Sequence, residues 1–145
     1  MATDRRAEVT WRGSLLEGAG TIDTVTSGAI GGETVSWKAR STDESGGSTS
    51  PEELIAAAHA ACFSMSLASG LSKGGNDPAE LSTSATVTFQ PGEGIIRIAL
   101  TVDGRVEGID ADAFSAAAEA AKENCPVSKA LAGVPEITLE ARLRT

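Results

Sequence analysis

The chain has 145 residues, which suits one compact domain, and residues 1–145 are predicted to form it. Acidic residues outnumber Lys and Arg by 20 to 12, and the formal charge of −8 argues against nucleic acid or an anionic membrane surface as a partner. The apolar share is 41% but aromatic residues make up only 3%, so aliphatic side chains must build the core. Short chains of this kind often complete their burial by oligomerising.

The sequence contains no apolar run typical of a membrane span or an export signal. The longest such run, residues 54–63, is interrupted by His59 and is shorter than the roughly 20 residues that a spanning helix needs. Residues 1–6 lead directly into an alternating polar pattern, unlike a secretion signal. These observations predict a cytoplasmic protein without a membrane partner. Two cysteines are too few for the disulfide framework of a small secreted domain.

Short strands separated by glycines are predicted at the N-terminal end of the chain. Apolar and polar residues alternate over 7–12, 21–27 and 34–39, which favours a β-meander. The polar, Gly- and Ser-rich residues 41–50 follow, and their composition predicts a mobile loop.

A long helix is predicted after this loop. Ser50 is a suitable N-cap, Pro51 suits the first helical position and Glu53 stands three residues after the cap. The helix is expected to run to about Leu71, and because its residues are small or apolar on nearly every face, we expect it to be buried.

The second half of the chain is predicted to alternate between strands and helices. The elements expected, in order, are a hairpin of strands over 81–89 and 96–102, a helix over 111–123 capped by Asp110, a helical turn over 127–132 after Pro126, and a strand over 137–143. This order describes an α+β protein.

The two cysteines, Cys62 and Cys125, are the main candidates for chemistry. Cys62 lies within the buried helix, where desolvation raises the pKa of a thiol and leaves it inert unless a cation or donor stabilises the thiolate. Cys125 directly precedes Pro126 at the start of a helical turn, where free N–H groups favour an anion. Each falls on the core-facing side of its helix, yet the sequence leaves open whether their Cα atoms lie within the roughly 4.4–6.8 Å that a disulfide requires. Packed, unreactive thiols are the alternative.

His59 stands three residues before Cys62, so the two side chains are neighbours on a helix. A Cys–His nucleophile pair and a zinc site both come into consideration. Zinc would find one His and two Cys and would need a carboxylate in addition, so a hydrogen-bonded core histidine fits the pattern better. Neither a metal nor a cofactor is expected, since the glycine pairs also lack the context of a phosphate-binding loop.

Two separated runs, SPEELIAAAHAACFSMSLA over residues 50–68 and NCPVSKAL over residues 124–131, closely resemble the OsmC (osmotically inducible protein C) family. His59 resembles the OsmC branch, whereas the related organic hydroperoxide resistance (Ohr) branch has Tyr at this position. The resemblance implies an intertwined α+β homodimer, with antiparallel strands around a long buried central helix and two active sites at the subunit interface.

The family resemblance also implies a function. Its members are thiol peroxidases, which makes Cys62 the peroxidatic cysteine that becomes a sulfenic acid and Cys125 the cysteine that resolves it. The resulting disulfide is reduced by an external dithiol. The expected substrate is an organic hydroperoxide, with hydrogen peroxide as a further one. The alternative is a non-catalytic redox-sensing or ligand-binding homodimer that uses the same cysteines.

By the same resemblance, Arg40 is the arginine that stabilises the Cys62 thiolate and polarises the peroxide. The alternative for Arg40 is a solvated charge at the end of a strand. Glu52 matches the carboxylate that orients this arginine, but it lies ten residues before Cys62, about 15 Å along a straight helix. Glu52 is therefore expected either to act on Cys62 of the other subunit or only to favour the helix N-terminus.

Aliphatic and aromatic residues near the motifs are candidates for the walls of a substrate pocket or for ordinary core. These are Leu54, Ile55, Phe63, Met65 and Phe114.

Overall fold

The computed structural model describes residues 1–144, which group into two compact units, Met1–Leu54 and Ile55 onward. Each unit carries its own three-stranded sheet, and helices accompany both, which confirms the predicted α+β class. Two compact units within one chain do not by themselves establish two domains, so a single domain over residues 1–145 stays a prediction. Thr145 lies outside the described residues.

The first unit contains the predicted meander. Strand β1 (Ala7–Arg12) pairs antiparallel with β2 (Ala19–Val25), and β2 pairs antiparallel with the two-residue β3 (Thr34–Val35). The strand predicted over 34–39 is wrong beyond Val35, because the chain there enters a short helix, α1 (Trp37–Ser41).

A serine explains this difference. The side chain of Ser36 accepts a hydrogen bond from the Ala39 N–H at 3.1 Å and caps α1. The alternation of Val35 and Trp37 covers too few positions to separate a strand from a helical turn. As a result, Arg40 lies in a helix and not at the end of a strand.

Helix α2 (Pro51–Lys73) begins where the sequence predicts and ends two residues later than predicted. The Ser50 hydroxyl accepts a hydrogen bond from the Glu53 N–H at 3.2 Å, and proline occupies the first helical position. Gly75 then adopts a left-handed backbone with φ of +85°, which is typical of a helix C-terminus.

Fewer faces of α2 are buried than the sequence predicts. One stripe of residues spaced four apart is buried, namely His59, Phe63, Leu67 and Leu71. Met65, on another face, is 70% exposed. A helix with small or apolar residues on nearly every face therefore presents an apolar surface in the single chain.

By length and composition alone, α2 is the one helix among residues 1–144 that could cross a membrane. The core helix of a soluble protein passes the same test. The length of the uninterrupted apolar run did not predict this, because a helix that is long and apolar enough to cross a membrane can also contain serines and glycine. The absence of a membrane partner stays a prediction.

The elements after α2 build the second sheet and its covering helix. They are β4 (Pro78–Gln90), β5 (Gly94–Val106), α3 (Ala111–Asn124), α4 (Pro126–Ala130) and β6 (Glu136–Arg144). β4 and β5 form the predicted antiparallel hairpin, whereas β6 returns after the two helices and pairs parallel with β5. The second sheet is therefore mixed.

The main core lies in the second unit. It joins the buried stripe of α2 to the inner faces of β5 and α3, and its fully buried members include Phe63, Leu67, Val102, Phe114, Ala118 and Cys125. This packing brings the residue that follows α3 close to the middle of α2.

Candidate active site

The two cysteines meet within the second unit. Cys62 lies midway along α2 and is partly exposed, whereas Cys125 lies between α3 and α4 and is completely buried. Both are free thiols, Cys62 packs against the core cluster that contains Cys125, and each thiol shifts the pKa of the other. The two thiols are therefore neighbours in the structure, and a disulfide between them stays a prediction.

The two sulfurs hold their protons with unequal strength. Burial, and next the hydrogen bond with Cys125, raise the pKa of Cys62 against an opposing effect of the Val127 N–H. Burial also raises the pKa of Cys125, but the Cys62 thiol, the Ser128 N–H and hydroxyl, and the Val127 N–H outweigh it, so the pKa of Cys125 falls.

A second pair forms within the first unit. Nε of Arg40 donates a hydrogen bond to Oε1 of Glu52 at 2.9 Å, and the Glu52 side chain is only 8% exposed. The other carboxylate oxygen, Oε2, is buried without a hydrogen-bond partner. A guanidinium keeps its charge at physiological pH, so this contact holds a permanent cation beside a buried carboxylate.

The structure thus brings the four predicted site residues together as two pairs, each within one unit. The contact that would let Glu52 orient Arg40 is present, and Glu52 also stands in the first turn of α2, where a carboxylate favours the helix N-terminus. The catalytic roles of Arg40, Glu52, Cys62 and Cys125 stay predictions.

His59 is a buried, hydrogen-bonded histidine, as its pattern favoured. Its Nε2 lies 2.7 Å from the Ser128 hydroxyl oxygen, and its Nδ1 is buried without a partner. Among residues 1–144, no cluster of three or more His, Cys, Asp or Glu side chains could hold a metal ion. Sequence reasoning missed Ser128, although the residue lies inside the second family-like run.

Burial of His59 predicts a loss of stability in acid. Burial lowers the pKa of His59 below its ordinary value of 6.5, so the unfolded chain binds a proton at a pH where the folded chain does not. The free energy of unfolding is therefore expected to fall as pH drops below about 6.5, by at most about 1.4 kcal/mol per pH unit from this residue.

Urea unfolding at pH 7.5 and pH 5.5 checks this expectation. His59→Gln, which cannot titrate, should lose less stability between the two conditions than the unchanged protein. Equal losses in both proteins would show that His59 does not contribute to the pH dependence.

An open groove of about 640 Å³ adjoins Cys62. One wall is a face of α2 that includes Cys62, Met65 and Ser69, and the other belongs to α3 and the turn after it. Of the five predicted wall residues, only Met65 lines this groove.

Phe63 and Phe114 belong to the ordinary core, which is the second of the two alternatives that the sequence left open, because both are completely buried. Leu54 and Ile55 do not line the groove beside Cys62.

The fold and the reduced cysteine pair define a thiol-based redox protein, and comparisons with known proteins specify its family. Residues 43–140 match the model of the OsmC-like proteins. The chain is 38% identical to peroxiredoxin OsmC of Escherichia coli (strain K12), over the full length of both chains. The organic hydroperoxide resistance protein OhrB of Bacillus subtilis has a similar solved structure, with 26% identity, a TM-score of 0.58 and coverage of 96% of this chain and 98% of that one.

A further solved structure, an OsmC-like protein of unknown function from Vibrio cholerae, shares the fold with a TM-score of 0.74 at 17% identity, over 97% of this chain and 99% of that one. The chain belongs to the OsmC-like family, as its two sequence runs predicted. It is an enzyme of the peroxidase class.

Proposed function

We propose that this enzyme reduces organic hydroperoxides with Cys62 as the attacking thiolate and Cys125 as the resolving one. The observation that carries the proposal is the contact between two reduced cysteines of different exposure. Cys62 lines the groove, so a peroxide can reach it, whereas Cys125 is completely buried and can reach only its neighbour. This division of access matches the two roles.

The proposed cycle has three chemical steps. The Cys62 thiolate attacks the distal oxygen of the hydroperoxide, the O–O bond breaks, and the alkoxide takes a proton and leaves as an alcohol. The Cys125 thiolate then attacks the sulfur of the Cys62 sulfenic acid, and hydroxide leaves as water after taking a proton. An external dithiol reduces the resulting disulfide by thiol–disulfide exchange through a mixed disulfide.

The first step requires Cys62 to lose its proton, although burial raises the pKa of this thiol. Transfer of this proton to Cys125 along their hydrogen bond exposes the Cys62 thiolate, and a nearby cation favours the transfer. The proposal gives this task to Arg40, because its charge is permanent and the buried carboxylate of Glu52 already holds it.

The groove favours an organic substrate over hydrogen peroxide alone. Met65 and the alanines of α3 line the groove together with Pro126. An alkyl or aryl group of the substrate can therefore bury its apolar surface against them, away from water. A small polar peroxide gains no such contact.

Steady-state turnover of cumene hydroperoxide with a dithiol reductant tests this function. We expect sustained consumption, with kcat/KM at least about tenfold higher than for hydrogen peroxide, because burying a few methylene-sized groups is worth more than about 1.4 kcal/mol. A single stoichiometric oxidation without turnover would instead indicate the redox-sensing alternative.

We also propose that the enzyme acts as a homodimer. The apolar surface of α2 around the exposed Met65 supports this, since a second chain would bury it. A dimer would also let Glu52 of one subunit act beside Cys62 of the other. A molar mass of one chain by light scattering would contradict the proposal.

A further inference from the structure

A line of buried polar groups leads from the interior to the cysteine pair. His59 of α2 contacts Ser128 of α4 at 2.7 Å, and the side chains of both are shielded from solvent. Ser128 follows Cys125 by three residues in the first turn of α4, and its hydroxyl is one of the groups that lower the pKa of the Cys125 thiol. Cys125 in turn contacts Cys62.

The direction of the hydrogen bonds along this line follows from the proton count. A serine hydroxyl has one proton, so it can be directed either to His59 or to Cys125. If Nε2 of His59 carries the imidazole proton, it donates to the Ser128 oxygen, and the serine proton is then directed to the sulfur. If Nδ1 carries the imidazole proton instead, the serine proton is directed to Nε2 and a lone pair of the Ser128 oxygen faces the thiolate. The N–H at Nδ1 is then buried without an acceptor.

We propose that His59 is a positioning residue that fixes the Ser128 hydroxyl as a hydrogen-bond donor to Cys125 and so keeps Cys125 ready to attack oxidised Cys62. The inference rests on the proposed function, in which Cys125 resolves the sulfenic acid. His59 and Ser128 make or break no covalent bond in this step. The S–S bond forms, the S–O bond of Cys62 breaks, and the departing hydroxide takes a proton from solvent.

Three kinds of group act on the Cys125 sulfur. The Cys62 thiol approaches from α2, the Ser128 hydroxyl belongs to α4, and the backbone N–H groups of Val127 and Ser128 lie at the start of α4. Of these, only Cys62 titrates. Replacing Cys62 by alanine therefore leaves a protein in which the contribution of Ser128 to Cys125 can be measured alone.

Titration of the thiolate by its ultraviolet absorbance, in the Cys62→Ala background, tests the inference. We expect Ser128→Ala to raise the pKa of Cys125 by about one unit, a tenfold loss of thiolate at low pH, because a hydrogen bond to a charged group is lost. His59→Leu should shift the pKa in the same direction. His59→Gln should restore most of the original value, since its amide can donate from near the position of Nε2.

Ser64→Ala is the matched control. Like Ser128, Ser64 carries a hydroxyl inside a helix, but it lies in α2, is partly buried and binds the Ala60 carbonyl and Thr83. Its removal should leave the pKa of Cys125 unchanged. The inference is overturned if Ser128→Ala causes no shift, or if His59→Gln shifts the pKa as much as His59→Leu. If His59→Leu fails to fold, the pKa values of Cys125 in Ser128→Ala and His59→Gln still test the inference.

A second readout separates this inference from the proposed function. With Cys62 present and peroxide in excess, Ser128→Ala should accumulate several-fold more sulfinic acid on Cys62, because a scarcer Cys125 thiolate resolves the sulfenic acid more slowly. An unchanged sulfinic fraction would contradict the inference. A protein that does not react with peroxide at all would contradict the proposed function, while the thiolate titration would still judge the role of His59.

Discussion

Replacement of Cys62 by serine is expected to lower the rate of hydroperoxide reduction by at least about 10³-fold, down to the background of the dithiol alone. Serine preserves the size of the side chain, but its hydroxyl does not ionise near neutral pH and is a far weaker nucleophile than a thiolate. Cys125 cannot take over, because it is completely buried. Steady-state assays with cumene hydroperoxide measure the effect.

Cys125→Ser is the matched control for this experiment. It keeps the partly exposed Cys62 thiol, so the first equivalent of alcohol should still form, but the sulfenic acid has no internal partner and should oxidise further to sulfinic acid. Substantial turnover by Cys62→Ser would show that another group attacks the peroxide.

Replacement of Arg40 by alanine is expected to lower kcat/KM by about 10²–10³-fold at neutral pH, which is the usual cost of removing one stabilising donor from an active site. In the proposed mechanism Arg40 favours the charged form of Cys62, so its loss raises the pKa of that thiol. Activity should therefore recover partly as the pH is raised, and the pH–rate profile of the variant should move to higher pH.

Two variants make this test specific. Arg40→Lys keeps the charge but loses the planar guanidinium that Glu52 holds through Nε, so it should fall between the wild type and the alanine variant. Lys38 lies in the same short helix and pairs with Glu44 on the surface, so Lys38→Ala should change the rate less than twofold. An Arg40→Ala protein with an unshifted pH profile would exclude Arg40 from thiolate stabilisation.

Local signals predicted much of the fold. The serine cap and proline at the start of α2 specify its first turn through contacts within four residues, and the structure reproduces them. The parallel pairing of β6 with β5 could not be predicted, because alternation assigns faces to a strand but not the direction of its neighbour. The short helix that carries Arg40 was not predicted, because the alternation of Val35 and Trp37 is the same in a strand and in a helical turn.

The candidate site could also be predicted only in part. The family-like runs identified Cys62 and Cys125, and the structure adds their contact. Ser128 escaped notice because its partner His59 lies 69 residues away along the chain, and only packing of α4 against α2 brings them together. The sequence left open whether Phe63 lines a pocket or fills the core, because an apolar residue near a reactive cysteine has the same pattern in both cases, and its complete burial decides for the core.

Peptide mass mapping after one equivalent of an organic hydroperoxide tests the central claim most directly. The account predicts that Cys62 and Cys125 become linked by a disulfide, with the loss of two hydrogens and the release of one equivalent of alcohol. Recovery of both cysteines as unmodified thiols would contradict it.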